Sequence, residues 1–271
     1  MTGLISFVGA GPGAPDLLTL RAADRLAQAD VVVWASSLVP AAVLDHAADD
    51  AVVHDSAGMT LEDVTGVYAA HPGARIVRLH SGDVSLYSAL AEQLAWCAAH
   101  DRPFEIVPGV GSLAAASAAV ARELTAPGVA QSVIATRLPG RTAASVPDNE
   151  RLADLAGHGT TMAVYLSGAR PEELQRELLA GGSYTAETPA AVVVRASWPD
   201  EQVVPTTVGG LPEAVRGTGA RTVVLVLVGE ALRGAADRCH LYDPAYAHGY
   251  RRRSVPGSTA GRPRHAGSAP S

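Results

Sequence analysis

The sequence predicts an α/β protein with two α/β domains, an N-terminal parallel sheet and a C-terminal mixed sheet, and an active-site cleft between them. Short apolar runs alternate with helical segments in the first half, which is typical of a parallel sheet with helices on both faces. A hairpin in the second half makes that sheet mixed. A Gly/Pro-rich stretch at 108–112 separates the two halves. We therefore expect domains at 1–110 and 111–235 and a disordered tail at 236–271.

The N-terminal elements follow from hydrophobic spacing and turn residues. The first strand, Leu4–Val8, ends in glycine-rich sequence. In the next segment, Asp16–Ala29, apolar residues recur at helical spacing, and Asp16 is suited to be the N-cap. The other predicted strands are Val31–Trp34, Ala51–His54, Arg75–His80 and Glu105–Val107, and the other predicted helices are Ala41–Ala47, Leu61–Ala70 and Leu86–His100.

The C-terminal elements begin with an alanine-rich helix, Leu113–Ala121. Two strands, Ala190–Ala196 and Val203–Thr207, are joined by Ser197–Asp200 and predict the hairpin. The remaining predicted strands are Gln131–Thr136, Thr161–Leu166 and Thr222–Val228, with helices at Glu172–Ala180 and Leu211–Arg216.

Composition excludes several classes of function. All 21 basic residues are arginine, which excludes Schiff-base chemistry on lysine and phosphate loops that end in Lys-Ser/Thr. The first 250 residues hold 16 arginines against 27 acidic residues, a net charge of −11, which argues against nucleic acid as the main partner. Two cysteines far apart fit a reducing cytosol and give no metal signature. No apolar run is long enough to span a membrane, and the N-terminus disfavours secretion, so we expect a cytoplasmic protein.

The loop after the first strand, Gly9–Asp16, matches a dinucleotide-binding fingerprint only in part. Pro12 and Pro15 remove two backbone donors that a pyrophosphate would need, and no acidic residue ends the second strand. Two interpretations stay open. The loop is a tight turn, or it is a place where a ligand approaches bare backbone, and the glycine density favours the second.

Two further loops follow predicted strands, where ligands of open α/β sheets bind. In the segment 80–87, Asp83 is either a helix N-cap or a ligand contact. The segment 107–112 is either a hinge or a hydrogen-bonding loop that faces the same cleft.

Two segments of the second half carry candidate ligand contacts. Arg137 and Arg141 lie in a predicted loop and could each bind a carboxylate through two hydrogen bonds, the alternative being a solvated surface. Trp198 either caps the hairpin or offers a flat wall to a planar ligand.

Several segments together resemble the tetrapyrrole (corrin and sirohaem) methyltransferases. The segments are GAGPGAPDLLTLRAADRL, ADVVVWASSLV, SAGM, HSGDVSLY, VPGVGS, ELT, TRLPGRT and ASWPDEQ, and the resemblance as a whole runs from about residue 4 to residue 232. Within that superfamily, SLV, SAGM, ELT, TR-x-x-GRT and ASWPDE resemble the precorrin-4 C(11)-methyltransferases of cobalamin biosynthesis. Any one motif is weak, whereas their order and spacing are specific.

The resemblance implies a homodimer whose subunits bind S-adenosylmethionine in the interdomain cleft and methylate carbon 11 of precorrin-4 to give precorrin-5. It assigns cofactor contacts to the first loop, to the methionine-binding loop, to the linker and to the adenosine pocket: Gly11 and Pro12; Gly82, Asp83, Val84 and Tyr87; Gly111 and Ser112; and Leu166 and Ala196. The substrate carries many carboxylates, so Arg137 and Arg141 are the candidate substrate contacts, with Arg78 and Arg195 as further ones. No catalytic base and no metal site is assigned.

Two departures from the family limit what can be transferred. Val84 stands where the family often has proline, and related uroporphyrinogen methyltransferases carry an acid at the position of Ser36 and a lysine near residues 55–56. Four alternatives stay open: the cobalt-precorrin-4 enzyme of the anaerobic pathway, a nicotinamide-dependent oxidoreductase, a non-catalytic tetrapyrrole carrier and a protein-modifying methyltransferase.

Overall fold

A computed structural model of the chain describes residues 3–139, 146–234, 239, 241, 243 and 246–249. Five parallel strands form the first sheet, in the order β3-β2-β4-β1-β5. They are β1 (Ile5–Gly9), β2 (Val31–Trp34), β3 (Val52–Asp55), β4 (Ile76–His80) and β5 (Phe104–Val107). Because β4 lies between β1 and β2, the loops after β1 and β4 start side by side. The predicted parallel sheet is confirmed.

Helices cover both faces of this sheet, which explains why its central strands are continuous apolar runs. On one face, Val8, Val32 and Val77 pack beneath α1 (Leu20–Ala27) and the 3₁₀ helix Ala41–His46. On the other face, the buried core is formed with α2 (Leu61–Ala70) and α3 (Leu90–Ala99). The core residues there include Ile5, Phe7, Val33, Val64, Tyr68 and Cys97.

The second sheet is mixed, as predicted, with the order β6-β7-β10-β8-β9. Its strands are β6 (Val133–Arg137), β7 (Thr161–Tyr165), β8 (Pro189–Val194), β9 (Gln202–Thr207) and β10 (Val224–Val228). Only the β6–β7 pair is parallel, and β8 and β9 form the expected antiparallel hairpin. One face packs against α4 (Ser112–Ala119) and the other against three helices: α5 (Leu152–Ala156), α6 (Pro171–Ala180) and α7 (Leu211–Thr218).

Three predicted elements differ in detail. Asp16 is not an N-cap, because Pro15–Leu17 forms a separate 3₁₀ turn and the Thr19 side chain accepts the Ala22 N–H at the start of α1. The helix predicted from Leu86 begins only at Leu90, since the preceding residues form a loop. The segment 41–47 is a 3₁₀ helix rather than an α-helix. Helix α5 is missing from the prediction because five residues are too few to display a helical period.

The domain boundaries at 110 and 235 stay predictions. Most of the segment 236–271 lies outside the described residues, as does Arg141. Among the residues that the structure describes, no helix is both long and apolar enough to cross a lipid bilayer.

Candidate active site

Three loops meet at the carboxyl edge of the first sheet because β4, β1 and β5 are neighbours. The N–H of Ala10 donates to the carbonyl of His80 at 2.8 Å. Gly11 and Gly82 then form an isolated antiparallel bridge, with N···O distances of 3.1 and 2.8 Å in its two directions. Both glycines have positive φ, +73° and +69°, a conformation that suits glycine. The loops after β1 and β4 are thus joined by backbone alone.

The third loop approaches so closely that only glycine fits. A Cβ atom added to Gly109 would lie 2.3 Å from the carbonyl oxygen of Gly82 and 2.8 Å from Cα of Gly9. Both obstacles are backbone, which cannot rotate away. Gly9, Gly82 and Gly109 therefore fix how the loops after β1, β4 and β5 pack at the floor of the cleft.

Asp83 joins two of these loops through its carboxylate. One oxygen accepts the Gly109 N–H at 2.8 Å, and the other accepts the Ser85 N–H at 2.9 Å and the Ser85 hydroxyl. Burial alone would raise the pKa of Asp83, but hydrogen bonds from Ser85 and Gly109 outweigh it and hold that pKa below its ordinary value. The N-cap interpretation of Asp83 is wrong, since α3 starts seven residues later.

The end of β7 forms the opposite wall. The Tyr165 ring lies 5.2 Å from that of Tyr87, centroid to centroid, and its hydroxyl interacts with the Ser112 side chain of the linker. The next residue, Leu166, is 62% exposed and has φ +54°. A large apolar side chain held exposed in a strained backbone conformation is a feature of ligand sites.

The turn after β8 also reaches the first domain. Ala196 is buried, and its neighbours Arg195 and Ser197 both have positive φ, 49° and 67°. The Ser197 hydroxyl accepts the Ala14 N–H at 3.0 Å, and the indole N–H of Trp198 donates to the Pro12 carbonyl at 2.9 Å.

Trp198 packs directly on the first glycine loop. A Cβ on Gly13 would lie 2.1 Å from the indole Cδ1. The indole thus holds the turn after β8 against the loop after β1, a role that neither sequence-based interpretation of Trp198 included.

Two cavities open between the halves. The first, of 490 Å³, is lined by Asp83, Gly111 and Tyr165 and by residues 123–125, the Glu-Leu-Thr segment. The second, of 430 Å³, is lined by Tyr87 and Arg137 among others. Arg195 is paired with Asp200, so it is less suited to bind a ligand.

The structure thus brings most of the predicted residues to one cleft. Gly11, Pro12, Gly82 and Asp83 lie in the joined loops, and the linker residue Ser112 contacts the β7 wall. Val84 is buried beside Asp83. Sequence reasoning missed Tyr165 and the pairing of Ser197 with Ala14, whose partners are distant in sequence. The described part of the chain contains no group of three or more His, Cys, Asp or Glu side chains placed to hold a metal ion.

Comparison with known proteins matches this architecture to one family. The model for tetrapyrrole (corrin/porphyrin) methylases matches residues 4–212. Cobalt-precorrin-4 C(11)-methyltransferase of Methanocaldococcus jannaschii is 41% identical over 251 residues, which cover 92% of this chain and 96% of that protein. Precorrin-4 C(11)-methyltransferase of Pseudomonas aeruginosa is 42% identical over 252 residues, covering 91% and 98%.

Two solved structures agree. A cobalt precorrin-4 methyltransferase, described as a cobalamin biosynthetic enzyme, superposes with a TM-score of 0.80 at 42% identity and covers 84% of this chain and 95% of its own. Uroporphyrin-III C-methyl transferase from Thermus thermophilus, in complex with S-adenosyl homocysteine, has a TM-score of 0.69 at 30% identity, covering 85% and 99%. The chain belongs to the tetrapyrrole (corrin/porphyrin) methylases.

Proposed function

We propose that this protein transfers a methyl group from S-adenosylmethionine to carbon 11 of precorrin-4, giving precorrin-5 in cobalamin biosynthesis. The observation that carries the proposal is a glycine-built interdomain cleft in a chain whose full-length relatives bear this activity in their names. A relative named for cobalt-precorrin-4 is equally similar, at 41% identity, so the cobalt-containing ring is the second candidate substrate.

The residues of the cleft fit such a methyl donor. Gly82, at φ +69°, has a conformation that residues with side chains disfavour, and the cavity beside Asp83 is within the size range of cofactor sites. The strained, exposed Leu166 gives an apolar wall suited to a nucleoside. We assign the methionine part of the donor to the loops after β1 and β4, namely Gly11, Pro12, Gly82, Asp83, Val84 and Tyr87. Gly111 and Ser112 would contact the donor from the linker. Leu166 and Ala196 of the second domain would contact its adenosine.

The protein contributes chiefly orientation to the reaction. When bound, S-adenosylmethionine supplies an activated methyl group whose transfer to carbon releases a neutral thioether, so no general acid is needed at the leaving group. The bridge between Gly11 and Gly82 and the carboxylate of Asp83 hold one wall of the cleft rigid, and Tyr165 and Leu166 form the other. Holding two reacting atoms in line in this way lowers a barrier by roughly 7–11 kcal/mol.

We assign binding of the tetrapyrrole substrate to the second cavity. Arg137 lines it beside Tyr87, where its charge can meet a carboxylate of the ring. Arg141 is proposed for the same task and lies outside the described residues. The homodimer and the cytoplasmic location stay predictions.

A single assay tests the function. Purified protein is incubated with S-adenosylmethionine and either precorrin-4 or cobalt-precorrin-4, and the product is analysed by mass spectrometry. We expect a gain of one methyl group with stoichiometric S-adenosylhomocysteine.

The same assay separates the rival functions. Ring binding without S-adenosylhomocysteine formation would identify a carrier instead. A nicotinamide titration that saturates would favour the oxidoreductase.

A further inference from the structure

Arg78, on the central strand β4, is a half-buried cation whose hydrogen bonding is incomplete. Its Nη1 donates to the Ser56 hydroxyl at 2.8 Å and to the Val33 carbonyl at a long 3.4 Å. Its Nε is buried and has no partner. Among the described residues, no carboxylate forms an ion pair with it.

The titratable groups around Arg78 are neutral and cannot balance its charge. His80 shares its face of β4, and burial, followed by the charge of Arg78, lowers the pKa of His80 to about 3. Burial also raises the pKa of Tyr68, whose hydroxyl donates to Gln93. A half-buried charge with a buried, unpartnered Nε and no counter-charge is unfavourable, so the site as it stands favours an incoming anion.

Arg102 supplies an internal comparison, because it is a buried arginine that also lacks a carboxylate partner. It lies at the opposite, amino-terminal edge of the same sheet, just before β5. Its guanidinium donates to three carbonyls, of Pro72, His71 and Ala74, at 2.5, 2.9 and 3.0 Å. The Nε of Arg102, like that of Arg78, has no partner, but both Nη nitrogens of Arg102 donate to carbonyls, whereas the bonds of Arg78 are made through Nη1.

The position of Arg78 indicates which ligand it serves. It pairs in register with Phe7 of β1 and Val33 of β2, close to the carboxyl ends of the strands. Two residues later β4 ends at His80, and the loop that carries Gly82 and Asp83 begins. Ligands of α/β sheets bind at this edge, so the anion would lie next to the proposed methyl donor.

We propose that Arg78 binds one carboxylate of the tetrapyrrole and so orients the ring. The proposal rests on the proposed function and adds a docking point on the first domain to that of Arg137 on the second. Ser56 assists: its hydroxyl donates to the Trp34 carbonyl and thereby turns its lone pairs toward Arg78. A planar guanidinium suits a carboxylate through paired hydrogen bonds, which a lysine in its place would not reproduce.

The test compares Arg78→Met, Arg78→Lys and the matched control Arg102→Met. For each purified protein, KM and kcat are measured with whichever ring substrate the wild type methylates, and the dissociation constant of S-adenosylhomocysteine by calorimetry. We expect Arg78→Met to raise KM about tenfold to a hundredfold, with kcat and S-adenosylhomocysteine affinity nearly unchanged. Arg78→Lys should fall between it and the wild type. Arg102→Met should lower the melting temperature and leave KM unchanged.

The other outcomes overturn the proposal in distinguishable ways. An unchanged KM in both Arg78 variants removes Arg78 from substrate binding while the proposed function stands. A loss of S-adenosylhomocysteine affinity that matches the rise in KM assigns Arg78 to the carboxylate of the methyl donor instead. If Arg78→Met does not fold, a wild-type KM in Arg78→Lys refutes the paired hydrogen bonds. A wild type that binds S-adenosylhomocysteine but methylates neither ring refutes the proposed function first.

Discussion

The two walls of the cleft are built by different means. On the first domain, the loops after β1, β4 and β5 meet through backbone, and the positive φ angles at their junction fall on Gly11 and Gly82. On the second domain, positive φ falls on residues with side chains, among them Leu166, Arg195 and Ser197. Each such residue costs of order 1–3 kcal/mol. The junction of the three loops in the first wall is thus a platform with little backbone strain, whereas the second wall, like Tyr87 beside the platform, carries strain where it faces the cleft.

The platform can be broken most severely at Gly109. In Gly109→Ala the new Cβ meets the Gly82 carbonyl and the Gly9 backbone, so the three loops must separate. We expect a loss of about 3 kcal/mol in the free energy of unfolding and of most S-adenosylhomocysteine affinity. Urea unfolding and calorimetry measure the two effects.

Gly66→Ala is the matched control for that change. Gly66 lies within α2, and a Cβ there meets nothing within 4 Å. It should raise the free energy of unfolding by about 0.5–1 kcal/mol, because glycine is a poor helix former. Equal effects of the two substitutions would show that loop packing is not what holds the platform.

Asp83 tests the same wall through a side chain. Asp83→Ala leaves the Gly109 N–H without its acceptor, and we expect a loss of about 2 kcal/mol in the free energy of unfolding and weaker S-adenosylhomocysteine binding. Because the pKa of Asp83 is lowered by folding, its stabilisation is complete above the unfolded pKa near 3.8 and disappears as the pH falls through the lower folded pKa. Between about pH 5 and 2, the stability of the variant should therefore fall less steeply than that of the wild type.

Asp63→Ala is the control for Asp83, since Asp63 caps α2 through the Thr60 N–H and its pKa is also lowered, by hydrogen bonds from Thr60. It should destabilise the protein without changing S-adenosylhomocysteine affinity. If both variants lose S-adenosylhomocysteine affinity alike, the hydrogen bond between Gly109 and Asp83 has no specific role in binding.

Much of the first domain could be predicted from local sequence because its central strands are buried on both faces and read as unbroken apolar runs. The start of α3 could not. Leu86 and Ala89 are good helix formers, yet Tyr87 and Ala89 are held at positive φ, and Tyr87 contacts Tyr165 of the other half. Tertiary contact overrides local propensity there. At the start of α1, both Asp16 and Thr19 are residue types suited to an N-cap. Pro15 begins a separate 3₁₀ turn that contains Asp16, and Thr19 is therefore the N-cap of α1.

The sequence could predict which loops form the site, but not the contacts between them. Glycines after each strand marked where backbone would lie close to a ligand, and the structure joins those loops. The Asp83–Gly109 bridge spans 26 residues and the Trp198–Pro12 bond spans 186, so no local pattern could indicate either. The predicted cofactor contacts themselves stay a proposal.

The strained wall is tested at Leu166. Leu166→Gly removes both the side chain and the penalty for positive φ, so we expect the free energy of unfolding to rise by about 1 kcal/mol while S-adenosylhomocysteine affinity falls. Leu166→Ala shortens the side chain but keeps a Cβ, and should lose affinity without gaining stability. Chemical denaturation and calorimetry of the pair separate strain from contact. A glycine variant that is less stable than the alanine variant would mean that Leu166 stores no strain.

The smallest expected effect concerns the contact that joins the two walls. Trp198→Phe keeps an aromatic ring on Gly13 but removes the hydrogen bond to the Pro12 carbonyl, which is worth about 1 kcal/mol. Because this bond fixes the strained turn after β8 to the platform, the loss should also weaken S-adenosylhomocysteine binding a few-fold. Trp96→Phe, on α3 where the indole stacks on His100, is the control and should leave affinity unchanged. Unchanged affinity in Trp198→Phe would mean that the walls keep their spacing without this bond, and that Ser197 and Ala14 suffice to join them.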